Sequence, residues 1–255
     1  MKKLAVVFVL VFTIVSCKKE AKKDVKQKEV VEIKESKFPS ELHKVFQFHG
    51  GISNWKSNHL LSFNINDETH TVALQSRKTV INAPKYSLGF DGNQFWLDEE
   101  NDGDYKGNPK FYYNLYFYFY AMPFVLGDNG IVYEKAEDLV FENVKYPGFK
   151  ISYKANIGNS SNDNYIVYYN PETYKMEWLA YTVTFNSKTS SNRYNWIKYK
   201  KWENVNGFLL PNEIIWYAQD KNGLPTKPVG NSVKFTLPLI SKTKMANSFF
   251  EKPKG

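Results

Sequence analysis

The sequence has a single cysteine, Cys17, in 255 residues, so no internal disulfide can staple the fold. Histidine is also scarce, with four residues. His43, His59 and His70 stand at no metal-ligand spacing and beside no cysteine, which gives no metal site. There is no G-x-S-x-G, no S-x-x-K with supporting boxes, no phosphate-binding glycine loop and no zinc box. The expectation is a protein without enzymatic activity or cofactor. Beyond the N-terminus, no uncharged run reaches the roughly 20 residues that a membrane-spanning helix needs. Residues 38–255 also lack a Pro/Gly/Ser-rich linker and any repeat of fixed period, so one domain is expected there rather than two.

What is present begins with MKKLAVVFVLVFTIVSC, a basic start, an apolar run and a small residue before Cys17. That layout predicts a secretory signal over residues 1–16. Its end, Ile14-Val15-Ser16-Cys17, resembles a lipobox, which makes Cys17 a lipid anchor. Residues 18–37 read KKEAKKDVKQKEVVEIKESK, with eight lysines, five acids and no aromatic residue. Such a segment cannot bury enough apolar surface to fold alone. Residues 17–37 are therefore expected to form a lipidated, charged tether reaching about 25 Å as a coil. The whole chain has a formal net charge of +8. Much of the excess lies in the signal and tether, so the domain is only mildly basic, which argues little for nucleic acid and fairly for a place near an anionic membrane.

Periodicity then sets the fold class. Ser40 to Phe48 has apolar residues at helical spacing, with Ser40 placed to cap the helix and Gly50-Gly51 to end it. Alternation over 59–66 and 69–74, around Asn66-Asp67-Glu68, predicts a hairpin. The stretches 86–91 and 94–98 predict a second around Gly92-Asn93. Further strands are expected over 139–144 and 149–154 around Tyr146-Pro147-Gly148, over 165–169 and 174–185 around Asn170-Pro171, and over 194–202, 208–218 and 232–240. Pro211 and Pro238 mark edges or bulges. Roughly ten strands joined by tight turns predict a mainly β (α+β) domain, a strongly curved antiparallel meander closing into a barrel or half-barrel.

Residues 111–127, FYYNLYFYFYAMPFVLG, hold nine aromatic residues and no charge. Asn108 and Pro109 begin a helix well, and Pro123 opposes its continuation past Met122. A helix over 109–122 would be about 20 Å long, too short to span a bilayer. Because it is apolar on every side it must be buried on every side. A sheet curving around it does this, so the aromatic helix is expected against the concave face, either filling the hollow or lining it.

Other constellations have plain explanations. His49-Gly50-Gly51 ends a helix, with His49 capping it or packing beside Trp55. The acidic run Asp98 to Asp104 alternates oxygen ligands, but its twelfth position is Pro109 where a calcium loop needs a bidentate Glu, so it reads as an exposed loop. Residues 193–202 interleave bases with aromatics like a nucleic-acid groove, yet a strand with one apolar and one solvated face accounts for them. Lys198 and Lys200 share its polar face.

The order of these elements, with His49-Gly50-Gly51 and Trp55 near the start and Asn247-Ser-Phe-Phe-Glu-Lys-Pro253 at the end, resembles uncharacterised outer-membrane lipoproteins of the LolA/LolB-like superfamily. The resemblance covers most of residues 38–253. It implies a half-open antiparallel barrel whose apolar hollow holds an acyl chain or other lipidic molecule. In that superfamily LolA ferries lipoproteins across the periplasm and the anchored LolB receives them. LolB's protruding apolar loop has no match here, and neither Arg77 nor Arg193 can be assigned as LolA's lid-closing arginine. The expected function is a membrane-anchored, non-enzymatic protein that carries or accepts a lipid or other hydrophobic ligand at the outer membrane, on its periplasmic face. The ligand-binding residues would be Tyr112, Tyr113, Tyr116, Phe117, Phe119, Tyr120 and Phe124, with room for about ten methylenes at ~0.8 kcal/mol each. The alternative is a structural or interaction lipoprotein with a filled barrel and a protein partner on its outer face.

Overall fold

The computed structural model describes residues 37–153, 163–185 and 191–254. The expected signal, the Cys17 anchor and the tether up to residue 36 lie outside the described residues. Two short helices, α1 (Ser40–Phe48) and α2 (Ile52–Lys56), precede five strands: β1 (Leu60–Ile65), β2 (Glu68–Ala73), β3 (Thr79–Asn82), β4 (Tyr86–Phe90) and β5 (Phe95–Glu99). The aromatic segment follows as α3 (Pro109–Tyr112), α4 (Leu115–Tyr120) and a 3-10 turn over Phe124–Gly127. Then come β6 (Ile131–Phe141), β7 (Val144–Tyr153), β8 (Tyr165–Tyr169), β9 (Met176–Tyr181), β10 (Asn195–Val205), β11 (Phe208–Gln219), β12 (Pro225–Lys234) and β13 (Thr236–Ser241). A last 3-10 turn spans Asn247–Phe250.

All pairings among the described residues are antiparallel. One sheet has the order β13-β1-β2-β3-β4-β5 and the other β12-β11-β10-β9-β8-β7-β6. The chain passes from one sheet to the other at Phe235, which is fully buried between β12 and β13. The sequence reading of one strand over 232–240 therefore becomes two: the Phe235 amide still bonds the Asn212 carbonyl of β11, its side chain turns into the core, and the next residues pair with β1 instead. The result is mainly β: two antiparallel sheets form a half-open barrel, with the few helices on the concave side.

The hollow is packed rather than empty. Leu61, Phe63, Ile65 and Val72 from the first sheet meet Ile151, Leu179, Tyr199 and Ile214 from the second around the aromatic segment. Tyr120 lies on Phe63 at 4.4 Å and on Phe235 at 4.6 Å. Tyr199 donates to the Phe119 carbonyl at 2.8 Å. Among the described residues no helix is long and apolar enough to cross a membrane.

Local expectations need three corrections. The aromatic helix is broken: Asn114 leaves the helical region at φ −127°, ψ 6°. Asn favours such departures, and the break lets the rings of α3 and α4 reach different walls. Asn108 caps α3 as expected, accepting from the Lys110 and Phe111 amides. Ser40 is the first residue of α1 and gives no capping bond. The hairpin turn assigned to Tyr146-Pro147-Gly148 sits instead at Glu142-Asn143, both at positive φ as a two-residue hairpin turn requires. Pro147 stays inside β7 because β6 bulges opposite it.

The two sequence motifs have structural roles. Gly50, at φ +116°, could not carry a Cβ, which would lie 2.6 Å from the Gly207 carbonyl. His49 packs on Trp202 at 4.5 Å, while Trp55 stacks on Phe124 at 4.3 Å. The C-terminal motif closes the convex face of the first sheet: Phe250 packs with Leu60, Val80 and Trp96, and Trp96 Nε1 donates to the Phe250 carbonyl at 2.8 Å.

Candidate functional site

A cavity of about 190 Å³ opens between the aromatic segment and the ends of β7, β8 and β9. Its wall on one side is Phe111, Tyr113, Leu115, Tyr118 and Phe119. On the other it is Tyr153, Tyr165, Tyr181, Val183 and Phe185, with Lys110, Asn114, Asp163 and Thr182 as polar members. Strand geometry puts these tyrosines inside. Tyr153 follows Ile151 by two, Tyr165 precedes Val167 by two and Tyr181 follows Leu179 by two, so each shares the inward face of a core residue. Tyr165 and Tyr181 are direct cross-strand partners.

Phe119 and Tyr181 join the cavity to the core. Their rings are 5.1 Å apart, and Trp216 Nε1 donates to the Tyr181 hydroxyl at 2.8 Å. At the mouth Phe111 and Phe185 meet edge to face at 5.2 Å. Asp163 is buried and its Oδ1 accepts from both the amide and the hydroxyl of Thr184 at 2.7 Å, which fixes the strand ends beside the opening. Burial raises the phenols of Tyr118, Tyr153, Tyr165 and Tyr181 above their ordinary value. All four are neutral near pH 7 and add to the few polar members of a mainly apolar wall.

The far side of α3 is held by a half-buried carboxylate. Glu68 Oε2 accepts from Tyr112 at 2.6 Å and lies 3.1 Å from His70 Nε2, and Oε1 accepts from Tyr86. Burial works to raise the Glu68 carboxyl, but the bonds from His70, Tyr112 and Tyr86 together hold it below the usual value. Lower down, Arg77 pairs with Asp128 and places its guanidinium 4.8 Å over the Phe117 ring. Both contacts fix the segment whose other face lines the cavity.

Of the seven residues named from sequence, Tyr113 and Phe119 border this cavity. Tyr112 turns to Glu68, and Tyr116 lies near His70 and Phe235. Phe117, Tyr120 and Phe124 are in the core. Sequence reasoning did not name Phe111, Leu115 and Tyr118 on the same segment, nor the strand tyrosines. The signal for the latter was available: a Tyr in phase with core residues at a strand end.

The other constellations are engaged locally. Lys198 pairs with Glu177 and lies 4.6 Å over Trp178, while Lys200 and Lys201 both reach Glu213 across a bulge in β10. In the acidic loop, Asp104 accepts from the Asn101 amide and Glu99 from the Tyr105 amide. Among the described residues no group of three His, Cys, Asp or Glu could hold a metal.

A model for a family of unknown function, DUF6503, matches residues 2–223. The chain belongs to that family. No curated protein matches this DUF6503 chain. It is similar to a solved LolA superfamily protein from Nitrosomonas europaea at 8% identity, with 76% of this chain and 87% of the other covered and a TM-score of 0.37. It is similar to a DUF1329 family protein from Desulfovibrio piger at 6% identity, over 81% and 95% of the two chains, with a TM-score of 0.41. A Vibrio parahaemolyticus domain described as outer membrane lipoprotein-sorting gives 6% identity, 78% and 94% coverage and a TM-score of 0.34.

Proposed function

We propose that this protein is a non-enzymatic binding protein that takes the apolar part of a small amphiphile into the cavity between α4 and β7–β9. The observation that carries the reading is the lining: mainly aromatic and aliphatic walls with a few neutral hydroxyls, Asn114, Asp163 tied to Thr184, and an exposed lysine at the rim. Binding sites for small molecules have this make-up, apolar area for affinity and sparse polar groups for orientation. The size bounds the guest. A cavity of about 190 Å³ holds about six water volumes at ~30 Å³ each. It suits one ring or a short alkyl segment better than a long acyl chain. At ~0.8 kcal/mol per methylene, six buried carbons contribute about 5 kcal/mol before the costs of association.

The same reading places the protein in the cell envelope, exported by residues 1–16, lipidated at Cys17 and held to the outer membrane by a tether ending near residue 37. Export and anchoring are tested by Cys17→Ser, which should move the protein from the membrane fraction to the soluble periplasm. An unchanged distribution would remove the anchor from the account.

Binding is tested with the neutral dye N-phenyl-naphthylamine. The wild-type protein should enhance its fluorescence, and Leu115→Trp, which places an indole in the cavity, should abolish the enhancement. Val140→Trp, on an exposed β6 position, should leave it intact. Enhancement that survives Leu115→Trp would place the dye elsewhere. No enhancement in the wild type would favour the alternative of an interaction lipoprotein whose barrel is filled by Phe117, Tyr120 and Phe124.

A further inference from the structure

Charge is unevenly distributed along the domain. Residues 221–255 hold seven lysines and one acid, Glu251, whereas residues 38–220 hold seventeen bases and twenty acids. The basic stretch also exposes large apolar side chains: Leu237 is 75% exposed, Leu239 52% and Phe249 38%.

Leu239 and the C-terminal turn share one face. Leu239 pairs with Ser62 and Ser241 with Leu60 across β13 and β1. Cross-strand partners point the same way and positions two apart share a face, so Leu239 lies on the side where Leu60 packs with Phe250. The C-terminal turn crosses that convex face, with Phe250 directed inward and Phe249 outward. Lys242 and Lys244 lie between Leu239 and Phe249 in sequence, exposed, and among the described residues neither has an ion-pair partner. Leu237 sits at a bulge with φ +48°. A branched residue in the left-handed region is unfavourable, and here no burial offsets it.

We propose that this convex face, centred on Leu239, Lys242, Lys244 and Phe249, docks on an anionic lipid surface. Apolar side chains that project singly enter the headgroup boundary, and lysines among them meet lipid phosphates. A protein partner would be matched by a continuous apolar patch with a polar rim, whereas here the apolar chains are spaced out by lysines without partners. The proposal does not depend on the cavity or its ligand.

The test uses the full chain with Cys17→Ser and one new cysteine carrying a polarity-sensitive dye, at Leu239→Cys, at Phe249→Cys, or at Val140→Cys as a control on β6. Vesicles contain phosphatidylcholine alone or phosphatidylcholine with phosphatidylglycerol at about three to one, with a quencher on the acyl chains. Dyes at 239 and 249 should be quenched in the anionic vesicles and little in the neutral ones, and the dye at 140 in neither. At about 1 kcal/mol per lysine near the surface, Lys242→Gln with Lys244→Gln should shift the contact equilibrium about thirty-fold. Equal quenching at 140 and 239, or quenching independent of phosphatidylglycerol, would overturn the proposal. So would contact at 239 that appears without vesicles and grows with protein concentration, because the occupant would then be a second copy of the chain.

Discussion

His49 is a buried imidazole used as a neutral connector. Its Nδ1 donates to the Leu209 carbonyl at 3.0 Å and its Nε2 accepts from the Met176 amide at 3.1 Å, tying the end of α1 to β11 and β9. Nε2 can accept only when unprotonated. Burial is the main cause that pushes its pKa down from 6.5 to about 4, with Lys175 adding to it. The unfolded chain therefore binds the proton more readily, so the stability contribution is complete above about pH 6.5 and is lost as the pH falls towards 4. By linkage the loss is about 3 kcal/mol. Urea unfolding across that range should show the decline, and His49→Gln should flatten this part of it. An unchanged slope in the variant would show that the imidazole is not the proton-linked group. Glu213, whose carboxyl Lys200 and Lys201 hold down to about 2, adds a separate decline that begins near pH 4.5, where the unfolded chain takes up this proton, and is complete near pH 2.

At the scale of elements, the aromatic segment is a core element first and a cavity wall second. Phe124 stacks on Trp55 and meets Phe208 edge to face, so Phe124→Ala should cost about 3–5 kcal/mol in chemical denaturation. A loss below 1 kcal/mol would mean that this end of the segment is not packed as described. Much of this level was legible in the sequence. Alternation located β1, β2, β4, β5 and β8, and Asn108 located the start of α3. The sequence did not disclose β3, because Thr79–Asn82 lies between β2 and β4 with three successive buried residues and shows no alternation. Nor did it disclose the break at Asn114, which depends on where the two walls stand. The cavity was harder still: its lining joins α3 and α4 to strand ends more than thirty residues away, and only register brings Tyr165 opposite Tyr181.

At the scale of the whole molecule, two sheets joined through Phe235 make a curved wall whose hollow is mostly filled by the chain itself. Among the described residues, one remainder left unfilled is the cavity beside Leu115, Phe119 and Tyr181. The account rests on that remainder being a site for a greasy guest. A crystal structure of protein purified without detergent and soaked in hexanol tests it directly. The account predicts density for the alkyl chain against Phe119, Leu115 and Tyr181, with the hydroxyl towards the rim near Lys110. A cavity that stays filled with ordered water at saturating hexanol, or an alkyl chain bound only on the outer faces, would contradict it.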